Sequence, residues 1–99
     1  MTTSAIELLI PTATAVTIAQ DTLIVELSDG RRISVPLTWY PRLLHANEAE
    51  RSNVRLIGSG SGLHWPEVEE DISVESIVRG RRSMERAASL ERWLLDRKA

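Results

Sequence analysis

Residues 15–37 read AVTIAQDTLIVELSDGRRISVPL, and this stretch decides the fold. Leu23, Val25 and Leu27 alternate with less apolar neighbours, which is the period of a strand with one buried face. Turn-forming residues at 20–21 and 28–30 divide the stretch into three such runs. The stretch therefore predicts three consecutive antiparallel strands.

The break at Asp29-Gly30 carries a more specific prediction. Asp-Gly between two strand-like runs is typical of a hairpin, and we expect a type I′ turn with positive φ at both central residues. Pro36 should then end the third strand, because proline has no N–H to donate to the sheet.

A helix is predicted directly after these strands. Thr38 is expected to cap it over residues 38–51, with Pro41 at about its third position. Residues 48–51 either continue this helix or begin a second short one.

The second half of the chain predicts two further strands and two further helices. The strands are expected at residues 53–57 and 63–65. Ser73 should cap a helix that Gly80 ends, and a last helix capped at its first residue should occupy residues 83–98.

These elements define an α+β fold. We predict a small antiparallel sheet in the order β-β-β-α-β-β-α, followed by a C-terminal helix. Residues 1–14 form an N-terminal extension and residues 15–80 the folded domain. Residues 81–99 form a basic C-terminal helix that is either part of the same compact unit or a partner-binding tail.

Composition narrows the class of protein. Ninety-nine residues can bury one core and no second. The absence of cysteine excludes disulfides, thiolate metal sites and cysteine nucleophiles. No apolar run approaches the roughly 20 residues of a membrane span, and the start, MTTSAIELLIP, lacks the basic region of a secretory signal. We therefore expect a cytoplasmic protein without a membrane segment.

Charge is distributed unevenly along the chain. Residues 1–78 carry five arginines against eleven acids, whereas residues 79–99 carry seven basic residues against three acids. Either the two ends neutralise each other, within the molecule or across a dimer, or the basic end binds nucleic acid. The candidate nucleic-acid contacts are Arg79, Arg81, Arg82 and Arg86.

The glycine-rich run at residues 56–62, LIGSGSG, resembles a phosphate loop only superficially. A Walker loop needs a lysine after its last glycine, and a dinucleotide loop needs a helix to begin there. The chain instead continues with a strand-like Leu63-His64-Trp65 and a proline. A hairpin connection is the better interpretation.

His64 and the acids that follow it raise the question of a metal or acid–base site. Metal ligands must converge from several directions, and His45 is the only other imidazole. Nothing in the sequence places Glu67 or Glu70 in a pocket, and the serines of the glycine run lack a suitably placed histidine. We predict no catalytic residue, no metal and no cofactor, and a protein that is not an enzyme.

A set of short motifs follows one another in a specific order over roughly residues 15 to 80. The motifs are Asp29-Gly30-Arg31, Val35-Pro36-Leu37, Trp39-Tyr40-Pro41-Arg42-Leu43, Arg51, Ile57-Gly58, His64-Trp65-Pro66, Glu70-Asp71-Ile72-Ser73-Val74-Glu75 and Gly80. Together they resemble the signature of the DUF2442 family. The chain departs from that family at Val68-Glu69, where members more often carry Leu-Asp.

This resemblance implies a small α+β domain without established catalytic residues. Some members of the family are encoded beside a small DUF4160 protein and act as an antitoxin-like partner, while others are fused to a helix-turn-helix domain. The leading hypothesis is therefore a non-enzymatic interaction domain, the antitoxin-like partner of a small toxin, for which the resemblance suggests the DUF4160 type. A DNA-binding regulator is the alternative, and an enzyme acting through His64 and the acids is a third.

The family motifs supply the candidate partner-binding residues. Trp, Tyr and Arg are the residue types most enriched in binding hot spots. Packing on the sheet is the competing interpretation, strongest for the two tryptophans, and Arg42 would then pair with Glu70 or Asp71. The candidates are Trp39, Tyr40, Arg42, His64, Trp65, Glu70 and Asp71. A homo-oligomer is also possible.

Overall fold

The structure, a computed structural model, describes residues 10–98. Its strands form two three-stranded antiparallel sheets with the spatial orders β1-β2-β3 and β4-β5-β6. The strands are β1 (Ala13–Ala19), β2 (Thr22–Leu27), β3 (Arg32–Pro36), β4 (Arg55–Ile57), β5 (Gly62–Trp65) and β6 (Glu70–Ser73). Most of the predicted N-terminal extension, residues 1–9, lies outside the described part of the chain.

Between residues 10 and 98, four α-helices and two short 3₁₀ turns accompany the strands. The 3₁₀ turns are Leu37–Trp39 and Gly58–Gly60, and the helices are α1 (Pro41–His45), α2 (Glu48–Ser52), α3 (Val74–Val78) and α4 (Ala87–Lys98). The α+β class and the broad order of elements are confirmed. The structure adds the strand β6 and divides the predicted single sheet into two.

The first sheet follows the alternation of the opening stretch. Leu23, Val25 and Leu27 on β2 are all buried, and β2 pairs with both of its neighbours. The second hairpin turn differs from the type I′ prediction, because Gly30 has a φ of 92° while Asp29 keeps a negative φ. The amide of Gly30 donates to the carbonyl of Leu27 at 3.0 Å, so one glycine accommodates the whole reversal.

The glycine run connects β4 to β5 and lies against the start of β1. A Cβ atom at Gly60 would lie 2.6 Å from the carbonyl oxygen of Ala13, and the φ of Gly60 is 93°. Both observations require glycine, because side chains disfavour this conformation and no space exists for one. The run therefore provides a close contact between the two sheets rather than a phosphate cradle.

One cluster of buried side chains joins the two sheets with α1 and α3. Its largest fully buried members are Trp65, Tyr40, Leu23, Leu37, Leu43 and Leu63. Val68, in the loop before β6, is also completely buried. Burial of this apolar surface is the main stabilising contribution to the domain.

The helix after β3 begins and divides differently from the prediction. Thr38 caps nothing: α1 begins at Pro41, which occupies the first turn, where a missing N–H is tolerated. Asn47 interrupts the predicted helix and starts α2 with a capping box, in which Asn47 and Glu50 bond each other's backbone amides. The second of the two predicted arrangements, a separate short helix, is therefore the observed one.

The two C-terminal helices confirm one predicted cap and correct another. Ser73 caps α3 by accepting a 3.0 Å hydrogen bond from the amide of Ser76, and Gly80 follows α3 with a φ of 74°. The last helix begins at Ala87 rather than at Ser83. Residues 81–86 run without regular structure, because Glu85 is held by a contact with the domain, described below.

Within residues 10–98, the apolar helical segments are all too short to reach from one side of a bilayer to the other.

Candidate functional site

Some members of both predicted sets, the partner-binding and the nucleic-acid-binding residues, line one polar cleft. The cleft has a volume of about 260 Å³ and lies between β6, α3 and the chain that follows α3. Its lining residues are Tyr40, Glu70, Asp71, Ile72, Ser73, Ser76, Arg81, Arg82, Ser83 and Met84.

The floor of the cleft contains a buried carboxyl group and a buried phenol. Glu70 opens β6 opposite Trp65, and Glu69 precedes it with a φ of 52°, so that the chain turns Glu70 inwards. Only 8% of Glu70 is exposed. Burial, the largest cause, and the negative charges of Glu85 and Asp71 together raise its pKa to about 7, against the opposing positive charge of Arg42. Glu70 is therefore close to half-protonated at neutral pH.

Tyr40 lies beside this carboxyl group. Its side chain is 2% exposed, and its Oη finds no hydrogen-bond partner among residues 10–98. Burial raises the pKa of Tyr40, and the charge of Glu70 adds to that effect. Tyr40 consequently stays protonated. The side chains of Tyr40 and Glu70 are both almost completely shielded from solvent.

An ion pair closes one side of the site. Arg42 Nε and Nη2 donate to the two carboxylate oxygens of Glu85 at 2.7 and 3.1 Å, and Nη1 donates to the carbonyl of Val68 at 3.1 Å. The pair raises the pKa of Arg42 and lowers that of Glu85. Ser89 Oγ donates a further 2.5 Å bond to Glu85. The expected partners of Arg42, Glu70 and Asp71, do not bond it.

The same contacts attach residues 81–98, here called the C-terminal segment, to the domain. Two guanidinium groups lie near the ring of Trp93, with Arg42 Cζ 5.2 Å and Arg97 Cζ 4.6 Å from its centroid. Arg97 also donates two hydrogen bonds of 2.8 and 2.9 Å to Glu50. The C-terminal segment is therefore docked through charge and cation–π contacts.

Exposed arginine and methionine side chains form the rim of the cleft. Arg82 stacks on Trp39 with Cζ 5.1 Å from the ring centroid. Met84 is 90% exposed. Arg81, Arg82 and Arg86 are exposed and form no ion pair with any residue from 10 to 98, whereas Arg79 pairs with Glu75 at 2.9 Å.

His64 and Asp71 form a cross-strand pair at the margin of the site. His64 on β5 faces Asp71 on β6, and His64 Nδ1 hydrogen-bonds the carboxylate of Asp71. The described residues contain no cluster of three or more potential metal ligands. In this part of the chain the histidine has one carboxylate beside it, which is too few ligands for a metal centre.

Trp65 lies in the core rather than on the rim. It is fully buried, and its Nε1 donates a 3.1 Å hydrogen bond to the carbonyl of Arg51. Arg51 in turn donates to the carbonyls of Leu43 and Leu44 at the end of α1. Trp65 and Tyr40 are thus reachable by a partner only if the core opens, while Trp39 and Asp71 are at the surface.

The sequence prediction did not identify four residues that shape the site or its contacts with the C-terminal segment. Glu85 lies 43 positions from Arg42, so spacing along the chain gives no sign of their pairing. Trp93 and Met84 looked like ordinary members of an amphipathic helix. Only Glu50 had a local signal, since Asn47 three residues earlier is typical of a capping box.

Comparisons with known proteins identify a family and two solved structures that the domain resembles. A family model described as "Protein of unknown function (DUF2442)" matches residues 13–83. A crystal structure of a protein of unknown function from Rhodospirillum rubrum is 25% identical with a TM-score of 0.67, covering 76% of this chain and 93% of that one. A solution NMR structure of an uncharacterized protein from Chromobacterium violaceum is 19% identical with a TM-score of 0.63, covering 87% and 75% respectively. No curated protein matches.

Proposed function

Because the chain belongs to the DUF2442 family, a family of unknown function, we propose that it is a non-enzymatic protein-interaction domain. In its specific form the proposal is an antitoxin-like partner of a small toxin in a bacterial toxin–antitoxin pair. The sequence resemblance to DUF2442 proteins encoded beside DUF4160 proteins suggests the kind of partner.

The observation that carries the proposal is the rim of the cleft. Met84 projects into solvent beside Arg81, and Arg82 covers the exposed face of Trp39. Arg, Trp and Met are enriched at protein interfaces, where their large side chains bury much area. Glu70 and Tyr40 are instead buried at the floor of the cleft. The side chains that a second molecule can reach at the rim are therefore of the types that bind proteins.

The charge of the rim indicates the character of the partner surface. Among residues 10–98, no carboxylate forms an ion pair with Arg81 or Arg82. An acidic partner segment would supply that carboxylate, and an apolar side chain next to it would cover Met84. We therefore expect a partner surface that combines aspartate or glutamate with an apolar residue.

Coexpression with the neighbouring small protein tests this proposal. The wild-type chain should copurify with that product and relieve any growth defect it causes when expressed alone. The double variant Arg81→Ala with Met84→Ala should weaken capture by about tenfold or more, because it removes two rim side chains of hot-spot type.

A matched control removes one arginine and one large apolar residue elsewhere. Arg55→Ala with Leu56→Ala changes two exposed residues on β4, which is two strands, or about 10 Å, from β6. This control should capture the partner as well as the wild type. Equal losses in both double variants, or neither toxicity nor copurification with the wild type, would contradict the proposal.

DNA binding is the second candidate, and one observation favours it. Arg81, Arg82 and Arg86 are exposed within six residues and have no ion-pair partner in residues 10–98. Against a helix-turn-helix, α3 has only five residues, and eight residues separate it from α4. A gel shift on the gene's own promoter without any response to sequence or salt would remove this candidate.

A further inference from the structure

The outer face of α4 carries an apolar stripe bounded by opposite charges. Glu91, Leu94, Leu95 and Lys98 follow the spacing i, i+3, i+4 and i+7, which places them on one side of the helix. They line a shallow groove of about 220 Å³, and Leu95 is 66% exposed. The face that docks on the domain is a different one, built on Trp93 and Arg97.

The two charges of the stripe have no intrahelical partner. Helical ion pairs form between residues three or four positions apart. For Glu91 these positions hold Ala87, Ala88, Leu94 and Leu95, and for Lys98 they hold Leu94 and Leu95. Neither residue forms an ion pair with any other described residue. Both charges are therefore available to a second molecule.

The order of the stripe is complementary to itself in one direction only. Glu91 and Lys98 lie at equal distances, in sequence, from the point between Leu94 and Leu95. A copy rotated by a two-fold axis through that point runs antiparallel. It sets each Glu91 against the partner's Lys98 and each Leu94 against the partner's Leu95. A parallel copy would instead set like charges together.

We propose that this chain forms an antiparallel two-fold dimer through the Glu91, Leu94, Leu95 and Lys98 face of α4. The proposal goes beyond the proposed function, because it uses a different surface from the cleft rim. The dimer leaves Met84 and Arg81 free, so each copy can hold a partner at the same time. One helix pair buries well under the roughly 1,200 Å² of a standard interface, so the dimer is weak and concentration-dependent.

Charge reversal tests the pairing directly. Sedimentation equilibrium of the full chain, from about 1 to 500 μM to span weak interfaces of this size, should show a monomer–dimer equilibrium. Glu91→Lys or Lys98→Glu alone replaces two attractive pairs by two repulsive ones and should raise the dissociation constant about tenfold. The double reversal Glu91→Lys with Lys98→Glu restores opposite pairs and should return the constant to near the wild-type value.

The controls separate this face from other effects of charge. Arg92→Glu makes the same size of charge change on α4 outside the stripe and should leave the constant within about twofold, as expected for an exposed site. Leu95→Ala should weaken the dimer without unfolding the chain, because Leu95 is mostly exposed. A wild-type monomer at all concentrations overturns the proposal, as does a double reversal that fails to recover.

Discussion

The domain and the C-terminal segment are held in place by different forces. In the domain, side chains such as Trp65, Leu23 and Leu43 are excluded from water almost completely. In α4, no residue is buried, and the contacts that dock the segment include two arginine–glutamate pairs and a cation–π contact between Arg42 and Trp93. Apolar burial is insensitive to pH and salt, whereas charge pairs respond to both. The two regions should therefore fail under different conditions.

Removing Trp65 should have the largest effect, because it disrupts the apolar burial that holds the domain together. Trp65→Ala empties a fully buried site and leaves the carbonyl of Arg51 without its donor. We expect a loss of about 3–5 kcal/mol in the free energy of unfolding, measured by denaturant titration. Trp39→Ala, at a half-buried position, is the control and should cost much less. Similar costs for both would contradict the contrast in packing.

Breaking the main ion pair should separate the segment from the domain. Glu85→Ala leaves Arg42 mostly buried without its carboxylate, which costs about 3 kcal/mol by analogy with other buried pairs. We expect amide hydrogen exchange in α4 to accelerate strongly while β2 and β5 remain protected.

A double variant gives the matched control for this prediction. Arg42→Met with Glu85→Ala removes the stranded charge and should recover part of the loss in docking. If α4 and the core strands exchange at one common rate in Glu85→Ala, the segment and the domain form a single cooperative unit. The proposed difference between the two regions would then be wrong.

Protonation of Glu70 should make the stability of the domain depend on pH. Folding raises the pKa of Glu70 from 4.5 to about 7, so the folded state favours the protonated form. The stabilisation from protonated Glu70 is fully present below pH 4.5. It is lost as pH rises through 7, and at higher pH the free energy of unfolding is lower by up to about 3 kcal/mol. Glu70→Gln should abolish this decline in denaturant titrations between pH 5 and 8.

Opposite shifts define the other side of the stability profile. Arg42 lowers the pKa of Glu85 and Arg97 lowers that of Glu50, so their stabilisation is lost as pH falls below about 4.5.

Glu69→Gln, at an exposed neighbour of Glu70, is the control for the Glu70→Gln prediction and should leave the decline between pH 5 and 8 in place. A decline that persists in Glu70→Gln would show that another group controls the profile.

Local patterns predicted the first sheet because each of its strands has one buried face. The same rule missed β6, where Glu70 and Ile72 point inwards and Asp71 and Ser73 outwards. A buried glutamate replaces the expected apolar residue, so the alternation disappears from the sequence. The glycine run was correctly predicted to connect two strands, although its contact with Ala13 is tertiary and leaves no local sign in the sequence.

The sequence supplied several residues that line the cleft but did not predict how they are arranged. The family motifs supplied Tyr40, Glu70 and Asp71, and the basic end supplied Arg81 and Arg82, which all line one cleft. The ion pair of Arg42 with Glu85 escaped prediction, because it joins residues in separate parts of the chain. That pair also explains why α4 begins late, since residues 81–86 are occupied by contacts with the domain.

Glu50 gives the docked segment a thermodynamic connection to a distant turn. Its carboxylate accepts the backbone amide of Asn47 at 2.9 Å, which orders the start of α2, and it also accepts both hydrogen bonds from Arg97. When one carboxylate serves two structures, each structure favours the other to the same degree. Fraying of α2 and release of α4 therefore favour each other. A partner that binds α4 and removes Arg97 from Glu50 should also weaken the capping of α2 at Asn47.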